Sequence, residues 1–198
     1  MASAHSPARA VPHEVRIVGG QWKRTRLPVA DKPGLRPTPD RVRETLFNWL
    51  GQDLSGWHCL DAFAGTGALG LEAASRGAAR VLLVEQDPEL VTRLRKLKEQ
   101  LSADTVEVRR GDALAVLAGM AGAGLDLVML DPPFEAGLSG SALAAAVPAL
   151  APGGLLYLET PVAWTGEQAA QAGLELRRHL KAGAVHAHLF GRSSVPAA

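Results

Sequence analysis

Cysteine is almost absent. Cys59 is the single one in 198 residues, so neither a disulfide framework nor a cysteine cluster is available. It lies in an apolar run and reads as a small buried hydrophobe. Long hydrophobic runs are also missing. No stretch approaches the roughly 20 apolar residues that span a bilayer, and Met1-Ala2-Ser3-Ala4-His5-Ser6-Pro7 lacks the apolar core of a secretory signal. A reducing, cytoplasmic setting is therefore the expectation. No internal repeat is visible. His186 and His188 share one face of a strand with no third ligand nearby in sequence, so no metal site is expected. The net charge is only +1, but its halves differ. Residues 1–50 hold nine Lys and Arg against four Asp and Glu, and residues 51–198 hold twelve against sixteen. A basic front on a mildly acidic body suggests a polyanion contact delivered by the N-terminal segment.

What is present fits one globular domain with a small appendage. Residues 1–13 are rich in Ala, Pro and Ser and read as a disordered tail. Residues 14–37 read as a basic β-hairpin and loop. Val15-Arg16-Ile17-Val18 alternates, Gly19-Gly20 supplies the turn, and Gln21 to Leu27 returns. Its basic Lys23, Arg24 and Arg26 lie beside Trp22, which suits RNA: charge for phosphate and a flat face for a base. Thr38 is expected to cap a helix with Pro39 at its first position. Val42, Leu46, Trp49 and Leu50 form that helix's apolar stripe, with Arg43 and Asn48 among its polar candidates.

From residue 57 strands and helices alternate, which predicts a doubly wound α/β sheet closed by an antiparallel pair. The strand ends carry the chemistry. Gly65-Thr66-Gly67-Ala68-Leu69-Gly70 follows a strand and opens a helix, and Glu85 ends the next strand, placed to accept ribose hydroxyls. Those features alone also describe an NAD site. Asp61 and Asp112 tip the balance. A carboxylate at Asp61 would face a diphosphate unfavourably but suits an ammonium or sulfonium, and Asp112 is placed to accept from an adenine amine.

The fourth strand of this region ends at Asp131-Pro132-Pro133-Phe134. Asp131 offers two acceptor oxygens, the prolines leave the Pro132 carbonyl free, and Phe134 offers a stacking face. The set suits a planar group bearing an NH2. Three readings stay open on these residues: an amino-methyltransferase of RNA, DNA or a protein amide; an NAD-dependent oxidoreductase; and a non-catalytic RNA-binding protein with a degenerate site.

Asp61-Ala62-Phe63-Ala64-Gly65-Thr66-Gly67, Glu85, Asp112 and Asp131-Pro132-Pro133-Phe134, in this order, resemble a class I S-adenosylmethionine-dependent amino-methyltransferase. Arg16-Ile17-Val18-Gly19-Gly20-Gln21-Trp22-Lys23 and the block from Gly34 to Leu50 narrow the resemblance to the RsmD family, bacterial enzymes that methylate the N2 amine of a guanine in 16S ribosomal RNA. The resemblance runs from about residue 14 to about 160. It implies a Rossmann-like, mostly parallel seven-stranded sheet with helices on both faces, occupying residues 38–198. It implies cofactor contacts at Asp61, Phe63, Gly65, Gly67, Glu85, Asp112 and Ala113, and a target guanine held by Asp131, Pro132 and Phe134. It places Arg36, Thr38 and Arg43 with the hairpin residues as an RNA border. The implied partner is 16S RNA, within the small subunit or an assembly intermediate, met by a monomer.

Overall fold

The structure is a computed structural model and describes residues 14–32 and 38–193. The N-terminal tail and Arg36 lie outside the described residues. The order is β1 (Glu14–Arg16), β2 (Arg26–Pro28), α1 (Asp40–Trp49), β3 (His58–Asp61), α2 (Ala68–Ser75), β4 (Arg80–Glu85), α3 (Pro88–Gln100), β5 (Val106–Arg110), α4 (Ala113–Ala118), β6 (Leu125–Leu130), α5 (Ser139–Ala146), β7 (Leu150–Thr160), α6 (Gly166–Gln171), β8 (Leu174–Ala182) and β9 (Val185–Arg192).

Seven strands form one sheet in the order β5-β4-β3-β6-β7-β9-β8. β5, β4, β3, β6 and β7 are parallel, and β9 runs antiparallel to both β7 and β8. The chain builds outward from β3 through β4 to β5, then returns to the other side of β3 with β6. The crevice between the carboxyl ends of β3 and β6 is thus the topological switch point, where open α/β sheets bind ligands.

Strand alternation divides the core between two faces. Cys59, Val81, Leu83, Leu127 and Met129 pack with residues of α1, α2 and α3, including Leu46, Phe47, Leu71 and Leu94. Leu60, Leu82, Val84, Val128 and Leu130 face α4, α5 and α6, against Leu117, Leu143 and Ala169. With both faces covered, β6 must be apolar nearly throughout, which is why Leu-Asp-Leu-Val-Met-Leu reads as a continuous run.

The N-terminal hairpin departs from its expected form. β1 pairs with β2 from Glu14↔Pro28 to Arg16↔Arg26, and Ile17 continues the pairing by donating to the Thr25 carbonyl at 2.9 Å. Gly19-Gly20 is not a two-residue turn, and Gln21 to Arg24 lie in the loop. The cause is the C-terminal end of α2. Ser75 Oγ donates to the Gly19 carbonyl at 2.7 Å, and its backbone carbonyl accepts from Gln21 N at 2.8 Å. A Cβ on Gly20 would stand 1.9 Å from that Ser75 carbonyl oxygen. The glycines therefore allow docking rather than reversal. Val15, Ile17 and Leu27 are buried in the same cluster as α1, α2 and α3, so the hairpin shares the domain's core.

The helix start also differs. Pro39, not Thr38, occupies the cap position of α1, without a side-chain cap bond. The Thr38 hydroxyl is engaged elsewhere, as described next. Among the described residues no helix is long and apolar enough to cross a membrane.

Candidate active site

Five acids mark the strand ends that line the switch point and its flanks. Asp61 ends β3 and is 1% exposed. Its Oδ2 accepts from Gly70 N at 2.9 Å, while its buried Oδ1 has no hydrogen-bond partner among the described residues. Burial pushes its carboxyl up to about 7, with Glu85 and Glu159 adding to the effect and the Gly70 and Phe63 N–H groups opposing it. A buried acceptor without a donor is costly, so this oxygen suits a donor supplied by a ligand. Gly65 and Gly67 have φ of 52° and 79°, the left-handed region in which side chains are disfavoured. They carry the loop from β3 into α2.

Glu85, at the end of β4, is half-buried. It accepts from Gly65 N and from Asp87 N, each at 2.9 Å and through different oxygens. Each oxygen retains a lone pair for a ribose hydroxyl. Asp87 caps α3 through Glu89 N and Leu90 N and also binds Lys32 Nζ at 2.6 Å. Asp112 caps α4 by accepting from Ala115 N at 2.8 Å. Only Oδ1 is committed there, and Ala113 beside it is buried. Phe63 is half-buried against the α4–α6 side of the core.

Asp131 follows β6 directly. Burial lifts its carboxyl well above the usual range, and the neighbouring Glu159 and Asp61 carboxylates add to the rise. Pro132 is buried, and its carbonyl takes no hydrogen bond among the described residues. Phe134 opens a short 3-10 turn and is 38% exposed. It is one of two exposed large hydrophobic side chains in the described structure; the other, Val162, follows β7.

Glu159, near the end of β7, was not among the expected site residues. Leu130 pairs with Leu158, so Asp131 and Glu159 leave adjacent strands side by side. Glu159 is 2% exposed. Its Oε1 accepts from Thr38 Oγ1 at 2.7 Å and from Tyr157 Oη at 2.8 Å, and Thr38 Oγ1 also lies 3.4 Å from Asp131 Oδ2. Burial raises the Glu159 carboxyl, against the two hydroxyl donors and the more distant Arg43. The signal for Glu159 was available: it is an acid at a strand's carboxyl end, like Asp61 and Asp131.

The RNA-border residues separate. Lys23 and Arg24 are exposed, with no ion pair among the described residues. Arg26 is exposed but paired to Glu14 at 3.3 Å. Trp22 is half-buried and packs on the core. Thr38 is buried in the acid cluster. Arg43 contradicts its assignment to the border outright, because it is fully buried. Its guanidinium donates to the Thr38 carbonyl at 3.2 Å, Glu72 at 3.1 Å, and the Arg16 carbonyl and Asp40 at 2.6 Å each. Glu72 lies in α2, which is buried on every side because the hairpin covers it, and Glu72 also accepts from Val18 N at 2.8 Å. Arg43 therefore joins hairpin, α1, α2 and the residue that touches the acids.

His186 and His188 gain a third ring that their sequence separation hid. His179 stacks on both across the β8–β9 ladder, at 5.1 and 4.8 Å between centroids. His188 is committed internally. Its Nε2 accepts from Trp164 N at 3.0 Å, which leaves Nδ1 to donate to the Leu158 carbonyl at 3.2 Å, and burial drives its pKa down to about 4.

Comparison with known proteins is decisive for the family. The family described as Conserved hypothetical protein 95 matches residues 15–191. Ribosomal RNA small subunit methyltransferase D of Escherichia coli K12 is 43% identical over 183 residues, covering 91% of each chain. The protein of the same name from Haemophilus influenzae is 42% identical over 152 residues, covering 74% of this chain and 79% of its own. The solved structure of the Escherichia coli yhhF protein superposes with a TM-score of 0.80 at 42% identity, over 92% of this chain and 99% of that one. With its strand-end acids, its glycine loop and its Asp-Pro-Pro-Phe corner gathered at one switch point, the chain belongs to the RsmD family of methyltransferases.

Proposed function

We propose that the chain transfers a methyl group from S-adenosylmethionine to the N2 amine of a guanine in 16S ribosomal RNA. The observation that carries this reading is the juxtaposition across the switch point. Asp61, with its unpartnered Oδ1, and the left-handed glycines lie on the β3 side, and Asp131-Pro132-Pro133-Phe134 lies on the β6 side. Asp61, Phe63, Gly65, Gly67, Glu85, Asp112 and Ala113 would hold the cofactor. When bound, S-adenosylmethionine supplies a methyl group on a sulfonium leaving group.

The protein's work is then alignment and electrostatics. The amine's lone pair is delocalised into the purine ring. Asp131 and the Pro132 carbonyl accept its two hydrogens, favour a tetrahedral nitrogen and stabilise the positive charge that develops there. The nitrogen that takes up the methyl group would shed its proton to Asp131 or to water. Phe134 stacks on the base. Lys23, Arg24 and Arg26 on the hairpin contact RNA phosphates. The substrate is the small subunit or an assembly intermediate, because one small domain has little surface with which to choose one guanine. The protein acts as a cytoplasmic monomer without a metal.

The test is transfer of labelled methyl to small subunits and to 16S RNA from cells lacking this enzyme, followed by nucleoside digestion and mass spectrometry. N2-methylguanosine at one position is expected. Label in methyladenosine, DNA or protein would refute the choice of substrate.

A further inference from the structure

Glu159 is a buried acid for which the chemistry above has no use. It is 2% exposed and directly beside the half-buried Asp131, and among the described residues no cation pairs with it. The four guanidinium donations of nearby Arg43 all go elsewhere. Two hydroxyls converge on Oε1, from Thr38 and Tyr157, and fix the carboxylate's orientation. Oε2 takes no hydrogen bond among the described residues. A structural role filled by two hydroxyl donors is served as well by a neutral glutamine, without the cost of burying a carboxylate beside Asp131. The arrangement asks for a further donor.

The Asp131 corner accepts the hydrogens of an amine, and adenine, cytosine and guanine all carry one. They differ in the ring nitrogens beside it. In guanine one of the two flanking ring nitrogens is N1–H, a donor, the other being the bare N3. In adenine and cytosine the flanking ring nitrogen is bare, an acceptor, whose lone pair a carboxylate repels. We infer that Glu159 is the specificity-determining residue of the base pocket: its Oε2 accepts N1–H while Asp131 accepts N2–H, so the paired acids at the ends of β6 and β7 select guanine. This rests on the reading of the corner as a guanine-N2 site. Thr38 and Tyr157 are positioning residues in this scheme, since they act through Oε1. Sites that hydrogen-bond a substrate N–H reject analogues lacking it by large factors, about 10⁴–10⁵ in favourable cases.

The test uses small subunits assembled on 16S RNA with either guanine or 2-aminopurine at the methylated position. 2-Aminopurine keeps the N2 amine but has a bare N1. The wild type should prefer guanine by at least about 10² in kcat/KM. Glu159→Gln offers an amide N–H to the bare N1. It should shrink that ratio at least tenfold, by slowing guanine and not 2-aminopurine, with S-adenosylmethionine affinity unchanged by calorimetry. A ratio unmoved by Glu159→Gln overturns the inference. So does a wild type that methylates both bases alike, an outcome that decides even if the variant fails to fold. Failure of the wild type to form N2-methylguanosine on guanine particles would instead bring down the proposed function, and this inference with it.

Discussion

Arg43→Met separates a buried structural arginine from an RNA ligand. In the folded protein Arg43 serves four acceptors, one each on Arg16, Thr38, Asp40 and Glu72. Breaking a buried ion pair by removing one partner costs about 3–5 kcal/mol, because a charge is left behind. Here Glu72 keeps Arg76 at 2.9 Å and the Val18 N–H, so the low end applies, about 3 kcal/mol. Against a typical domain stability of about 5–15 kcal/mol that is a large loss. With a urea m-value of about 2 kcal/mol/M the unfolding midpoint should fall by about 1.5 M. Arg43→Lys should rescue little, since one ammonium lacks the planar fork that reaches these acceptors. The assay is urea unfolding by tryptophan fluorescence, alongside RNA affinity across a salt series. A variant that loses under about 1 kcal/mol of stability while its salt slope falls by about 1 would refute the reasoning, because that is the signature of a lost phosphate contact.

Asp131→Ala should lower the rate of methyl transfer by more than about 10²-fold with cofactor affinity retained; single-turnover rates within a few-fold of wild type would end its role. Phe134→Ala should weaken RNA binding by about 1–3 kcal/mol, seen as a raised KM. The Asp61 carboxyl, lifted by burial to about 7, binds its proton more tightly folded than unfolded. Stability should therefore fall as pH rises from about 4 to about 7, at roughly 1.4 kcal/mol per unit within that window. Asp61→Asn should remove that contribution, so urea midpoints at pH 5 and pH 8 should lie closer together than in the wild type. Thr38→Val removes one donor that favours ionised Glu159, so the acidic limb of its pH–rate profile should shift upward; an unmoved limb would speak against coupling through that hydroxyl.

The parallel sheet was legible because its strands are buried on both faces and so read as apolar runs, and because helices must intervene between parallel neighbours. The acids at β3, β4 and β6 were legible because each ends such a run. Glu159 sat at the end of a run too, but its meaning lies in lateral contact with Asp131 and in two hydroxyls, one of them 121 residues away. Sequence spacing carries no trace of that. Thr38 looked like a cap because Thr-Pro-Asp is cap chemistry, and a competing acceptor at 2.7 Å took its hydroxyl. Arg43 looked like surface because charged residues on helices usually are. Its burial depends on Glu72, in a helix that packs on the sheet and whose remaining side the docked hairpin covers. Gly19-Gly20 looked like a hairpin turn, whereas helix α2 sets the need for glycine there.

The outer edge of the sheet has a consequence for how copies of the protein meet. Among the described residues β8 is the end strand of the sheet and no strand pairs with its outer side, the kind of ribbon on which a second chain can polymerise. It carries Glu175, Arg177, Arg178 and Lys181 along nine residues, and its register with β9 slips between Leu176 and Arg178. Two like charged strands laid edge to edge would set these cations against one another, and the slip spoils a continuous ladder. The charges of β8 and the slip thus disfavour edge-to-edge pairing of two copies along this strand.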